Sequence, residues 1–202
     1  MGRELFTCGG GSLLLPEAGS VLVGREDGGN LIVSPPREVW ERSELAPAEL
    51  ILWSFLVAAT AKAMLDALPQ LDGGCVNYWE AGNWALNDAA EPPGPKTARE
   101  HRRVHLHLLG RSRAAKSPSW KWGEAPKFPE FAERQSWASG FERLSAAECR
   151  DVVARAEVLL RERYAMDAGL LAPWSACDAC GYPTPAQDGL TQGKCAECQQ
   201  AA

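Results

Sequence analysis

Apolar and polar residues alternate with a period of two along Arg103-Val104-His105-Leu106-His107-Leu108-Leu109-Gly110. Val104, Leu106 and Leu108 fall on one side of a strand, while Arg103, His105 and His107 fall on the other. Two shorter β-branched runs, residues 20–24 and 30–34, flank Arg25-Glu-Asp-Gly-Gly29, whose Asp27-Gly28 pair predicts a tight hairpin turn. Pro35-Pro36 ends the second of these strands, and Cys75-Val-Asn-Tyr-Trp79 reads as another.

The period changes to that of a helix after Pro47, which suits a first helical turn: Leu50, Trp53, Val57, Met64 and Leu68 share one stripe. Ile51, Leu52, Phe55, Leu56 and Ala58 make the first half apolar on nearly every side, so it needs a second cover, from a later helix of the chain or from a partner subunit. The run 50–59 is about ten residues long, against about 20 for a membrane span, and predicts a buried helix with no membrane role. Ser145-Ala-Ala-Glu148 forms a capping box, and Val152, Val153, Ala156, Leu159, Leu160 and Tyr164 extend it as an amphipathic helix to about Met166. Prolines and a glycine mark a loop over 88–96. The passage 117–131 is too apolar for a linker and too rich in proline for one regular element, so it is expected to fold over something.

A chain of 202 residues accommodates one main core and a small appendage. The net charge of -5 gives no overall basic footprint, so nucleic-acid binding is not favoured. The first residues lack the pattern of a signal peptide, and a cytoplasmic location is expected. Of seven cysteines, Cys8, Cys75 and Cys149 are scattered and read as small core residues. The other four form C-x2-C-x14-C-x2-C: Cys177, Cys180, Cys195 and Cys198. Two such knuckles present four thiolates in the tetrahedral set that a structural zinc requires; iron–sulfur ligation and a redox dithiol are the other chemistries these pairs serve. About 28 residues cannot hold together by burial alone, which the metal would remedy. The expected division is 1–172 for the main domain and 173–202 for a zinc ribbon. Lys194 stands against Asp178, Asp188 and Glu197 there, which disfavours nucleic acid as the ribbon's partner.

All three histidines, His101, His105 and His107, lie within seven residues. From the strand by itself, a mixed polar face in solvent is as good a reading as a site. Taken with Asp27-Gly-Gly-Asn-Leu-Ile-Val-Ser and the helix opened by Pro47, however, Arg103-Val-His-Leu-His-Leu-Leu-Gly-Arg111 resembles the histidine-triad (HIT) superfamily of nucleotide hydrolases and transferases, whose signature is His-φ-His-φ-His-φ-φ with φ apolar. The resemblance spans residues 20–113. It implies an α+β fold, a HIT-like antiparallel sheet with a long helix and a C-terminal helix, and a homodimer.

It further implies attack on the α-phosphate of a nucleotide-type substrate, such as a dinucleoside polyphosphate, through a covalent nucleotidyl-histidine. His105 matches the nucleophile and His107 the third histidine, which donates to the phosphate oxygens. Arg103 stands at the first triad position, where its fork suits a phosphate but cannot replace a neutral imidazole. Lys96-Thr-Ala-Arg-Glu-His-Arg102 replaces the small phosphate-cradling stretch of the family. Asn30 occupies a position where many members carry a histidine, and Asn77 is a candidate for the asparagine that orients the nucleotide. His101 either substitutes for the missing imidazole or is an ordinary loop residue. Lys96, Arg99, Arg103 and Arg111 would give an anionic substrate its local field, and Trp79, Trp84, Trp120 or Trp122 would either stack on a base or pack in the core. The competing expectation is a HIT-like nucleotide-binding or protein-interaction module that has lost turnover.

Overall fold

The computed structural model describes residues 2–80, 82–186 and 193–200; Asp188, counted above among the tail's charges, lies outside them. In chain order the main elements are β1 (Gly2–Cys8), β2 (Gly11–Pro16), β3 (Asn30–Ser34), α1 (Pro47–Ala67), β4 (Cys75–Trp79), α2 (Ala98–His101), β5 (Leu106–Arg111), α3 (Arg134–Ser139), α4 (Ala146–Glu162), β6 (Trp174–Ala176), β7 (Pro183–Pro185) and α5 (Ala196–Gln200). The first five strands form an antiparallel sheet in the order β1-β2-β3-β5-β4, and β6 and β7 form a second, small one. The fold is therefore α+β, with a four-cysteine cluster near the C-terminus.

Residues 20–24 are not a strand. The chain passes through short 3-10 turns at Ala18–Ser20 and Arg25–Asp27, because both edges of β3 are already taken, by β2 on one side and β5 on the other. Val21, Leu22 and Val23 are buried all the same, packed against the sheet without pairing to it. The hairpin partner is instead the N-terminal pair β1–β2, joined across Gly9-Gly10 with Cys8 opposite Gly11. A bulge between Glu4 and Phe6 lets the successive residues Leu5 and Phe6 both enter the core.

Pro47 opens α1, and Glu49 accepts the Ala46 N–H at 2.8 Å. The helix runs for 21 residues, longer than its most apolar stretch suggested and about the length that crosses a bilayer by composition alone. Here it packs between the sheet and α4, with Trp53, Leu56, Ala59, Ala63 and Met64 buried; Leu50 and Val57 of the expected stripe are only partly covered. The second cover that the apolar pattern demanded is thus α4. That helix begins at the expected capping box, with Ser145 Oγ accepting from Glu148 N and Glu148 accepting from Ser145 N. It ends at Glu162, a turn before Met166, since Ala165 takes a left-handed φ of 49° that no helix continues. Tyr164 still stacks on Phe55, with centroids 5.1 Å apart.

The helices cover one face of the sheet. The other carries a smaller core of Leu22, Val23, Leu109 and Trp120, with Trp79, Trp84 and Phe128 packed on it. This is what the proline-rich passage folds over: Trp120 is fully buried and donates Nε1–H to Leu22 O at 3.0 Å, as Trp137 does at 3.2 Å. Gly110 must be glycine, since a Cβ there would lie 2.2 Å from Gly28 O where the two segments cross.

The tail is packed on the main body. Leu171 bridges Cys8, Ala172 donates to Thr7 O at 3.2 Å, and Trp174 donates to Glu157 Oε2 of α4 at 2.9 Å.

Candidate functional site

Alternation along β5 and its approach places Val104, Leu106 and Leu108 in the main core and turns His105 and His107 to the opposite face. There they line a cavity of about 410 Å³ together with Leu22, Ile32, Trp79, Trp84, His101 and Arg103. Ile32 of β3 and Trp79 of β4 are the cross-strand neighbours of His107, so the sheet itself forms the floor. Trp79 is held by Phe128, stacked at 4.4 Å, and its ring centre is 5.3 Å from that of His107. The walls are mostly apolar and aromatic, with the imidazoles as the convergent polar groups, as is usual for a small-molecule pocket.

The two imidazoles have a defined arrangement. His105 Nδ1 is 2.9 Å from Arg103 O, an acceptor, so the Nδ1 carries the proton and Nε2 keeps its lone pair. His105 Nε2 is 3.1 Å from His107 Nε2, which must therefore be the donor. His107 Nδ1 is then a bare acceptor; it is buried and without a hydrogen-bond partner among the described residues. Burial pushes the pKa of His105 below its ordinary value and that of His107 down to about 3, with the neighbouring His105 adding to the second shift. Both rings are neutral near pH 7.

Arg103 lines the cavity with a partly exposed side chain. Its Nε donates to Glu38 at 3.1 Å and its Nη1 to Arg102 O at 2.8 Å. Glu38, remote in sequence, was not among the expected site residues, and no local pattern signals it. His101 is not on the strand: it ends the short helix α2, yet it lines the same cavity.

The remaining candidates are elsewhere. Lys96 Nζ donates to Asn87 O at 2.9 Å and Gly94 O at 3.0 Å, serving the loop whose carbonyls it satisfies and not the cavity. Arg111 is buried and donates to Lys121 O and Glu124 O at 2.8 and 2.9 Å, anchoring the Trp120 passage. Asn30 is buried, with Oδ1 accepting from Leu22 N at 3.2 Å and Nδ2 donating to Leu31 O at 3.1 Å; it fixes the segment that replaces the expected strand. Asn77 sits on β4 opposite Leu109, two residues from Trp79 and outside the cavity lining. Of the tryptophans, Trp79 and Trp84 line the cavity, Trp120 is core, and Trp122 is an exposed ring under Arg113.

At the other end of the molecule, the Sγ atoms of Cys177, Cys180, Cys195 and Cys198 all lie within 4.8 Å of one another. That set suits a metal ion with soft, tetrahedral preferences. Cys195 N donates to Cys177 Sγ at 3.3 Å and, with the N–H groups of Cys180 and Ala179, lowers the pKa of the Cys177 thiol, whereas burial raises that of Cys195 and the neighbouring thiols raise that of Cys198. Cys8 and Cys149 are buried core residues, as expected, whereas Cys75 is exposed on the outer strand β4.

No protein-family model matches the chain, and no curated protein matches it.

Proposed function

We propose that the chain is a HIT-type nucleotide phosphohydrolase or nucleotidyl transferase that works through a covalent intermediate on His105. The observation that carries this reading is the placing of the histidine pair in a cavity with aromatic walls: His105 Nδ1 lies 2.9 Å from Arg103 O, which leaves Nε2 as the basic nitrogen, at rest the acceptor of His107 Nε2–H. His105 Nε2 bonds to the α-phosphorus of a nucleoside phosphate derivative as the bond from phosphorus to the leaving oxygen breaks. The leaving oxygen takes a proton from solvent. As the lone pair turns to phosphorus, the His107 Nε2–H loses its resting acceptor and donates to a phosphate oxygen. Water or another hydroxyl then adds to phosphorus, the P–N bond breaks with its electron pair returning to Nε2, and the attacking oxygen gives up its proton to solvent.

Trp79 and Trp84 would hold the base, and Arg103, released from Glu38, would meet the phosphate as a bidentate donor. In the tail we propose zinc, which four thiolates with no open position would hold in a structural role. We expect two copies to associate, as HIT proteins do. Exposed Ile51 on α1 and exposed Tyr78 on the outer strand β4 support this, and a monomeric mass by sedimentation would rule it out.

The test is a panel of dinucleoside polyphosphates, nucleoside phosphoramidates and nucleotide sugars with wild type and His105→Ala. Turnover is expected for wild type only, with a nucleotidyl adduct on the His105 peptide by mass spectrometry after acid-free quenching. The second reading, a module that binds nucleotides without turnover, is favoured by one observation: Arg103 is ion-paired, while Lys96 and Arg111 are spent on carbonyls. Nucleotide binding without turnover or adduct would select it.

A further inference from the structure

Strand β1 carries a cation that the candidate active site does not use. The side chain of Arg3, only 11 % exposed, points into the tail. Its Nη1 donates to Cys180 Sγ at 3.0 Å, its Nε donates to Glu197 Oε2 at 3.1 Å, and its Nη2 reaches the same carboxylate. The guanidinium also lies 4.5 Å over the ring of Tyr182, whose hydroxyl donates to Leu144 O, just before the cap of α4. Cys180 belongs to the first cysteine knuckle and Glu197 sits inside the second. One side chain therefore spans both knuckles and joins them to the edge strand of the main sheet. Four thiolates around a divalent ion leave a formal charge of about -2, which a hydrogen-bonded cation offsets while its planar fork fixes the direction of the sulfur.

We propose that Arg3 is an outer-sphere positioning residue of the cysteine centre, and that through it metal binding in the tail locks β1 onto the sheet. The chain neighbours of Arg3, Gly2 and Glu4, line a groove of about 310 Å³ that shares Arg103 with the histidine cavity. The inference rests on the four thiolates and is independent of nucleotidyl transfer.

It is tested on the full chain by chelator competition for zinc, by the thiolate charge-transfer band of the cobalt(II) form, and by hydrogen exchange with and without metal. Arg3→Ala is expected to weaken metal binding about 10- to 100-fold and to shift the cobalt band, with Arg3→Lys recovering part of the loss. In wild type, stripping the metal should speed exchange in β1 while β3 and β5 stay protected; in Arg3→Ala, β1 should exchange fast in either state. Glu197→Gln keeps Arg3 and every cysteine, and gives a second reading of the affinity loss if Arg3→Ala does not fold. Unchanged affinity and an unchanged cobalt band in the variants overturn the proposal, as does β1 exchange in wild type that ignores the metal, or a wild-type chain that binds none.

Discussion

At the scale of single residues, the histidine pair sets a stability signature that is separate from catalysis. An unfolded histidine takes up its proton near 6.5, whereas folded His107 stays neutral down to about 3 because it is buried between Ile32 and Trp79. Between those values the unfolded chain binds more protons than the folded one. The stability is present in full above about pH 6.5 and falls as the pH drops through the window, by up to about 1.4 kcal/mol per pH unit. Urea unfolding from pH 6.5 to 4.5 should therefore show wild type losing stability faster than His107→Gln, since the amide has no proton to take up. Parallel curves would mean that folded His107 takes up its proton over the same range as an unfolded histidine, and the burial argument would fall. The alternation of Arg103 to Leu108 made this pair legible in the sequence. The uses of Lys96, Arg111 and Asn30 were not, because their partners are carbonyls and an amide of loops whose paths only the fold determines.

At the scale of elements, the second core behind the histidines makes its own demand. Trp120 is fully buried against Phe128, edge to face at 5.5 Å, with its N–H satisfied by Leu22 O. Phe128 in turn backs Trp79, the floor of the cavity. Trp120→Ala is expected to cost about 3–5 kcal/mol. It should also release the stack under His107, so that ligand affinity falls along with the urea midpoint; a loss of less than about 1 kcal/mol would show that the passage is only draped on the sheet. Helices α1 and α4 were readable because a capping box at Ser145 and a proline at 47 are local signals, whereas the short α2, α3 and α5 were not anticipated. The strands were read less well. Val21 to Val23 satisfied every local rule for a strand, but β3 has only two edges and both were filled from farther away. The hairpin that filled one of them was marked by Gly9-Gly10 between the apolar runs Leu5-Phe6 and Leu13-Leu14-Leu15, a two-residue turn signal that the expected pairing passed over.

At the scale of the whole molecule, two unequal sources of stability meet along β1. The five-stranded sheet with α1 and α4 encloses a continuous core from Leu5 to Met166, tied to the tail at its β1 edge and through α4. Among the described residues the tail has two strands of three residues, a helix of five, and four cysteine sulfurs close enough to share an ion. Burial on that scale cannot offset the ordering of its backbone, so the tail's fold should be supplied by the metal. Purified protein is accordingly expected to carry about one zinc per chain, and Cys177→Ser with Cys180→Ser to carry close to none. A strong chelator should make the chain beyond Leu171 sensitive to protease while the helical circular dichroism of α1 and α4 persists. Were the whole chain to unfold with the metal, the main core would depend on the tail for more than its β1 edge. Were the tail to stay protected without it, contacts such as Trp174 with Glu157 and Arg150 with Gly181 O would suffice to hold the tail to α4. The size of the core on each side of β1 makes the partial result, a folded sheet with an opened tail, the one expected.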